Sequence, residues 1–182
     1  GRGNYRVEHC RFPVAFFESG GRLLLVHGTD WNRVDVSDPF TGKCLTPRES
    51  PVSREEKKAP EHYLDYFHGE LQVSPGGYWI ASNGWAWHPC GIVRSWNVKT
   101  WLSTNVWESE DGESVRYLCN RDYFWDGPVC WVGDSTLAVW GLGDDDNVMV
   151  PGVRIFDVSS GEELRSFTGP QIAGKSGTFL FD

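Results

Sequence analysis

Apolar and polar positions along this chain fall into three stretches with one layout. The first opens on the run Leu23-Leu24-Leu25-Val26, passes through His27 to Trp31, and resumes at Arg33-Val-Asp-Val-Ser37. The second runs from Leu71 to Ser82, then Asn83 to Gly91, then Ile92 to Trp101. The third runs from Val129 to Trp140, then Gly141 to Gly152, then Val153 to Leu164. In each, two strands joined by a two-residue polar turn predict a hairpin, and a third strand follows a variable loop. Thr41-Gly42-Lys43 and Ser160-Gly161-Glu162 close the first and third stretches, where glycine takes positive φ at little cost. Leu23, Trp79 and Leu137 lie 56 and 58 residues apart, and Asp35, Asn97 and Asp157 lie 62 and 60 apart. A unit of about 58–60 residues follows from these offsets.

One such unit is a small antiparallel sheet that cannot cover both of its faces, and stacking like units covers them. The hairpin Val73-Ser-Pro-Gly-Gly-Tyr-Trp-Ile-Ala-Ser82 and the third strand Arg154-Ile-Phe-Asp-Val-Ser-Ser-Gly-Glu-Glu-Leu164 resemble the blades of divergent WD-repeat-like β-propellers. The resemblance covers roughly residues 14–169. At the place of the family's Trp-Asp dipeptide stand Val34-Asp35, Trp96-Asn97 and Phe156-Asp157, so its Asp-His-Ser-Trp hydrogen-bond network is not carried over. The resemblance implies an all-β fold: an incomplete β-propeller of about three antiparallel blades, with one or two short helices in the linkers.

Chain length limits that architecture. A chain of 182 residues holds about three units, and closed propellers need at least four. The expectation is a single propeller-like segment over residues 1–182, with units at approximately 14–48, 64–102 and 126–169. Lys175 to Asp182 reads as a strand opening a further unit, and Gly1 to Arg6, without Met or an apolar leader, reads as a cut edge. Thr46 to Glu61, with three prolines and the run Arg54-Glu-Glu-Lys-Lys58, reads as a solvated linker. Ser103 to Asp126 reads as a second linker, with a short helix predicted over Ser114 to Tyr123 behind an acidic first turn.

Aromatic residues at 14%, 21 glycines and a single Met suit short strands and tight turns. Twenty-five acidic residues against 17 basic ones give net charge −8, which repels phosphate backbones and anionic lipid surfaces. Neither a nucleic acid nor a membrane is expected as a partner. Cys10, Cys44, Cys90, Cys119 and Cys130 are odd in number and hold no Cys-x-x-Cys pair, so a reducing, cytoplasmic setting is the expectation.

Candidate chemistry is sparse. Trp31, Trp85, Trp87 and His88 stand in the variable loops, where aromatic side chains either stack on a ligand or partner or pack between sheets. Alternation puts Trp85 and Trp87 on one face of an extended segment. Asp144, Asp145 and Asp146 form an acidic loop that reads as a site for a hard cation or as a solvated turn, without the spacing of an EF-hand. His9-Cys10 with His88 and Cys90 has zinc-type ligands but not the paired short spacings of a zinc site. Asp30, Asp65, Glu70, Asp122 and Asp126 are the carboxylates weighed for sugar hydrolysis. No nucleophile or phosphate-loop motif occurs, and no cofactor is expected.

The expected function is a non-enzymatic protein-interaction scaffold with loops of one rim as contact surface. Open strand edges predict self-association, two three-blade halves forming a homodimer. The alternative is a propeller that binds or hydrolyses a carbohydrate or another small ligand through loop tryptophans and carboxylates.

Overall fold

The computed structural model describes residues 10–49 and 59–169, and the expected further strand over residues 170–182 lies outside them. The described chain is mostly β and forms three antiparallel meanders. The first is β1 (Val14–Ser19), β2 (Arg22–Asp30) and β3 (Arg33–Ser37). The second is β4 (Phe67–Val73), β5 (Trp79–Ala86), β6 (Cys90–Asn97) and β7 (Arg116–Asp122). The third is β8 (Val129–Trp131), β9 (Thr136–Trp140), β10 (Gly152–Asp157) and β11 (Glu163–Thr168). Two short helices, α1 (Val98–Ser103) and α2 (Glu108–Asp111), sit between β6 and β7.

Local signals explain the hairpins. Between β1 and β2 stand Gly20 and Gly21 at φ 58° and 70°, the pair of positive angles that lets a two-residue turn follow the twist of its strands. Between β4 and β5 the Ser74 hydroxyl accepts from the amides of Tyr78 and Trp79, closing the turn through Gly77. Strand alternation then sorts side chains to opposite faces. Leu71, Ile80 and Trp96 of the second sheet meet Phe17, Leu24, Val26, Val34 and Val36 of the first. Ala81, Val93 and Cys119 point the other way, onto Val129, Leu137, Val139 and Phe156 of the third. The middle sheet is therefore covered on both faces.

One side-chain device recurs at the end of the third strand of each sheet. Asp38 accepts from the amides of Phe40 and Thr41, Asn97 from Thr100, and Asp157 from Ser159 and Ser160. Backbone donors on Asp38, and chiefly the Ser159 hydroxyl on Asp157, hold both carboxyl groups below the usual range. After Asp38 and Asp157 a glycine four residues on, Gly42 or Gly161, closes the turn by donating to the aspartate carbonyl. After Asn97 no glycine follows, and the same cap starts α1 instead. The counterpart of Asn97 and Asp157 is thus Asp38, at offsets of 59 and 60 residues, and not Asp35.

Two other expectations are corrected. The helix predicted over Ser114 to Tyr123 is a strand: β7 pairs with β6 through Ile92↔Asn120 and Gly91↔Arg121, and the edge of β6 overrides the local helix signal. The acidic residues that suggested the helix form α2 just upstream. As a result the middle sheet reaches Asp122, well past the expected boundary at residue 102. The third strand of that unit also stops at Asn97, so Trp101 belongs to α1, where it is fully buried against Trp96.

Candidate functional site

Three segments, the β2–β3 turn, the approach to β4 and the stretch from Trp107 into α2, converge where the first and second sheets meet. The β2–β3 turn carries Trp31 and Asn32, and the Asn32 side-chain amide donates to the Leu64 carbonyl at 2.7 Å, tying that turn to the segment entering β4. His62, in the left-handed region at φ 60°, donates from Nδ1 to the Asp111 carboxylate, 2.9 Å from both oxygens, and stacks on Trp107 at 4.6 Å. Trp31 packs on Phe67 at 4.7 Å and edge-on to Tyr63 at 6.5 Å. A cavity of about 170 Å³ opens between them, with Asp30 and Arg33 on one wall, His62, Tyr63 and Trp107 on another, and Glu110 at its side.

Behind this cavity lies a buried ionic network. The Arg48 guanidinium donates to the carboxylates of Asp35 and Glu110 and to the carbonyls of Val34 and Thr46. Arg33 donates from Nε to Asp35 at 2.9 Å and from Nη2 to the Arg48 carbonyl at 3.0 Å. Thr46 donates to Asp35 and accepts from the Val36 amide, locking the segment that carries Arg48 onto β3. Ser109 Oγ donates to Glu110 at 2.9 Å, and Arg94, between the rings of Tyr66 and Tyr117, donates to the Glu110 carbonyl at 2.7 Å. Burial pushes the Glu110 carboxyl up from its ordinary value, and Arg48 pulls against that rise.

A pH dependence follows from that direction. A carboxyl raised in the folded chain holds its proton there over a pH window where the unfolded chain has released it, so its contribution to stability falls as pH rises through that window. Between an ordinary value of 4.5 and the raised one, the stability difference between the native chain and Glu110→Gln is expected to move against the native chain as pH increases. Urea unfolding of both proteins across this window measures it; a difference independent of pH would contradict the assignment.

The structure gathers three of the four expected aromatic-site residues around one ring. Phe67 lies 4.7 Å from Trp31, 4.2 Å from Trp85 in a parallel stack and 6.2 Å from Trp87. Trp85 is only 2% exposed and also stacks on Trp125, whereas Trp87 is 45% exposed. The shared face drawn from alternation does not hold, because β5 ends at Ala86 and Trp87 already belongs to the turn. His88 is exposed in that same turn.

Asp144 and Asp145 tie down the loop that carries them, and Asp146 opens its 3-10 turn. The Asp144 carbonyl accepts from the Asp122 amide at 2.6 Å, and Asp145 Oδ1 accepts from the Asn147 amide at 2.8 Å, capping a single 3-10 turn. Among the described residues no group of three or more His, Cys, Asp and Glu is arranged to hold a metal ion. His9 lies outside the described residues, and Cys10 donates from Sγ to the His68 carbonyl at 3.4 Å. Burial raises the Cys90 and Cys130 thiols. Of the weighed carboxylates, Asp30 lines the cavity, and Glu70 is close enough to Asp126 to add to the rise that burial imposes there. Arg48, Arg94, Glu110 and Trp107 had no signal in the sequence: their partners stand as far as 62 positions away.

No protein-family model matches the chain, and no curated protein matches its sequence.

Proposed function

We propose that the chain is a non-enzymatic protein-interaction scaffold of WD-like propeller type, its three sheets acting as three blades, and that its open outer face pairs with a second copy. Neighbouring first strands support this reading. β4 lies against β1 on one side and β8 on the other, and Gln72 of β4 donates to the Val129 carbonyl at 2.7 Å. The hairpin ends are matched as well: the Gly76 amide donates to Asp134 of the third sheet at 2.5 Å, while a Cβ on Gly77 would fall 2.3 Å from the Glu18 carbonyl of the first. Five free thiols suit a cytoplasmic setting. Among the described residues no helix is long and apolar enough to cross a membrane.

The observation that carries the proposal is the outer face of the third sheet. The row Cys130–Ala138–Ile155 and the pair Val153–Phe167 run across β8 to β11 on the side away from the middle sheet, lining a hollow of about 570 Å³ with Leu164. The outer face of the first sheet likewise leaves Val14, Phe16 and Leu23 exposed, Phe16 at 61%. Each interface inside the chain joins one such face to another, so a second copy supplies the missing partner for both. Light scattering is expected to give a mass near twice 20.6 kDa for the native chain and a monomer for Leu164→Asp combined with Phe167→Asp. A native chain that stays monomeric on concentration contradicts the assembly.

A second reading, binding of a small ligand, is favoured by one observation: the cavity between the first two sheets sets Trp31 beside Asp30 and Glu110.

A further inference from the structure

We infer that the second copy docks in one register, with its β1 strand against Cys130 of the hollow and the turn after its β3 strand against Arg165. The inference rests on the self-association reading and names the contacts of that interface. The turn caps Asp38, Asn97 and Asp157 fix which positions of the three sheets are equivalent. Two residues before each cap, the strand pairs give one row per sheet: Val36–Val26–Ala15, Ser95–Ala81–Gln72 and Ile155–Ala138–Cys130. Arg116, paired with Ser95, and Arg165, paired with Ile155, carry the second and third rows onto the outer strands. Each row lies on the face turned toward the next sheet. Val26 and Val36 share a core with Leu71 and Ile80, Ala81 shares one with Val129 and Leu137, and the third row lines the hollow.

Both ends of the second row are hydrogen-bonded to the third sheet. Gln72 donates to the Val129 carbonyl at 2.7 Å, and Arg116 Nε donates to the Ser159 carbonyl at 3.1 Å, two residues past the cap Asp157. Cys130 and Arg165 stand at the same two ends of the third row. The equivalent acceptors lie on the first sheet. Val14 precedes Ala15 as Val129 precedes Cys130, and Phe40 follows Asp38 as Ser159 follows Asp157. Val14 is 45% exposed and Phe40 81%. Repeating the junction once more sets Cys130 against Val14 of the second copy and Arg165 against its Phe40 carbonyl. Ala138 then meets Leu25 of that copy as Ala81 meets Leu137 within the chain. A two-fold axis makes this contact twice and closes six sheets. Hollow packed on hollow instead leaves Val14, Phe16 and Leu23 uncovered in both copies.

Oxidative cross-linking of the full chain tests the register. Val14→Cys treated with diamide is expected to form a disulfide with Cys130 of the second copy, read as a two-chain band on a non-reducing gel and as the linked peptides by mass spectrometry. Adding Cys130→Ser is expected to abolish that band. Arg165→Ala is expected to raise the dimer dissociation constant about tenfold or more in sedimentation equilibrium, since its contact is made twice. These variants alter exposed or half-buried side chains, and circular dichroism confirms that each is folded. A link between the two Cys130 thiols, a dimer in which position 14 gives no link to Cys130, or a dissociation constant unmoved by Arg165→Ala overturns the register while leaving self-association in place. A chain that stays monomeric on concentration overturns both.

Discussion

Replacing Arg48 with methionine is expected to cost about 3–5 kcal/mol of stability. The side chain is 1% exposed and joins Asp35 to Glu110 across the junction of the first two sheets. Methionine fills much of its volume but leaves two carboxylates in a site where Asp35 is 2% and Glu110 5% exposed. Arg33 still compensates Asp35; Glu110 loses its guanidinium and keeps only the Ser109 hydroxyl as a side-chain donor. A buried charge stripped of its partner is the costly case, far more so than removal of the whole pair. For a chain of this size each kcal/mol lowers the unfolding midpoint by about 2–4 °C, so a drop of roughly 6–20 °C is expected by thermal denaturation. Adding Glu110→Gln to Arg48→Met is expected to recover part of that loss, because the stranded charge is gone. An Arg48→Met chain as stable as the native one, or a double variant weaker than the single, would show that the network does not hold the junction.

The meander of each sheet was readable because its signals are local. Gly20-Gly21, Ser74 with Gly77, and the terminal turns at Gly42 and Gly161 act within a few residues of the strands that they join. Alternation along β5 and β10 was readable for the same reason. What escaped depends on partners distant in sequence. Residues 116–122 became a strand against their local helix signal because the edge of β6 lay open to them. The repeat offset through Asp35 is three positions out because Asp35 and Asp38 both fit an acidic residue near the end of β3; only the hydrogen bonds separate the buried ion partner from the turn cap. The candidate cavity was legible only through Trp31 and Asp30. Its other walls come from the approach to β4 and from α2, whose nearness to the β2–β3 turn is a property of sheet stacking, not of spacing.

Truncating Trp85 to alanine is expected to destabilise the chain by about 3–5 kcal/mol, and truncating Trp87 by under about 1 kcal/mol. Two tryptophans one residue apart differ so widely because Trp85 lies inside the second sheet, paired with Phe67 on β4 at 4.2 Å and nearly parallel, with Trp125 at 5.7 Å beyond. Removing the indole opens a void that the surrounding rings cannot fill, since the Phe67 ring is itself 1% exposed and fixed by Trp31 on its other contacts. Trp87, past the end of the strand, touches Trp85 edge-on at 5.0 Å and turns much of its surface to water. Phe67→Leu combined with Trp85→Ala is expected to cost less than the two single changes together, by about 0.5–1.5 kcal/mol, because both remove the same stack. Urea unfolding of the four proteins measures this coupling. Equal losses for Trp85→Ala and Trp87→Ala, or strict additivity with Phe67→Leu, would mean that the aromatic cluster is not what joins the Trp31 turn to the middle sheet, and the cavity beside Trp31 would lose its rigid wall.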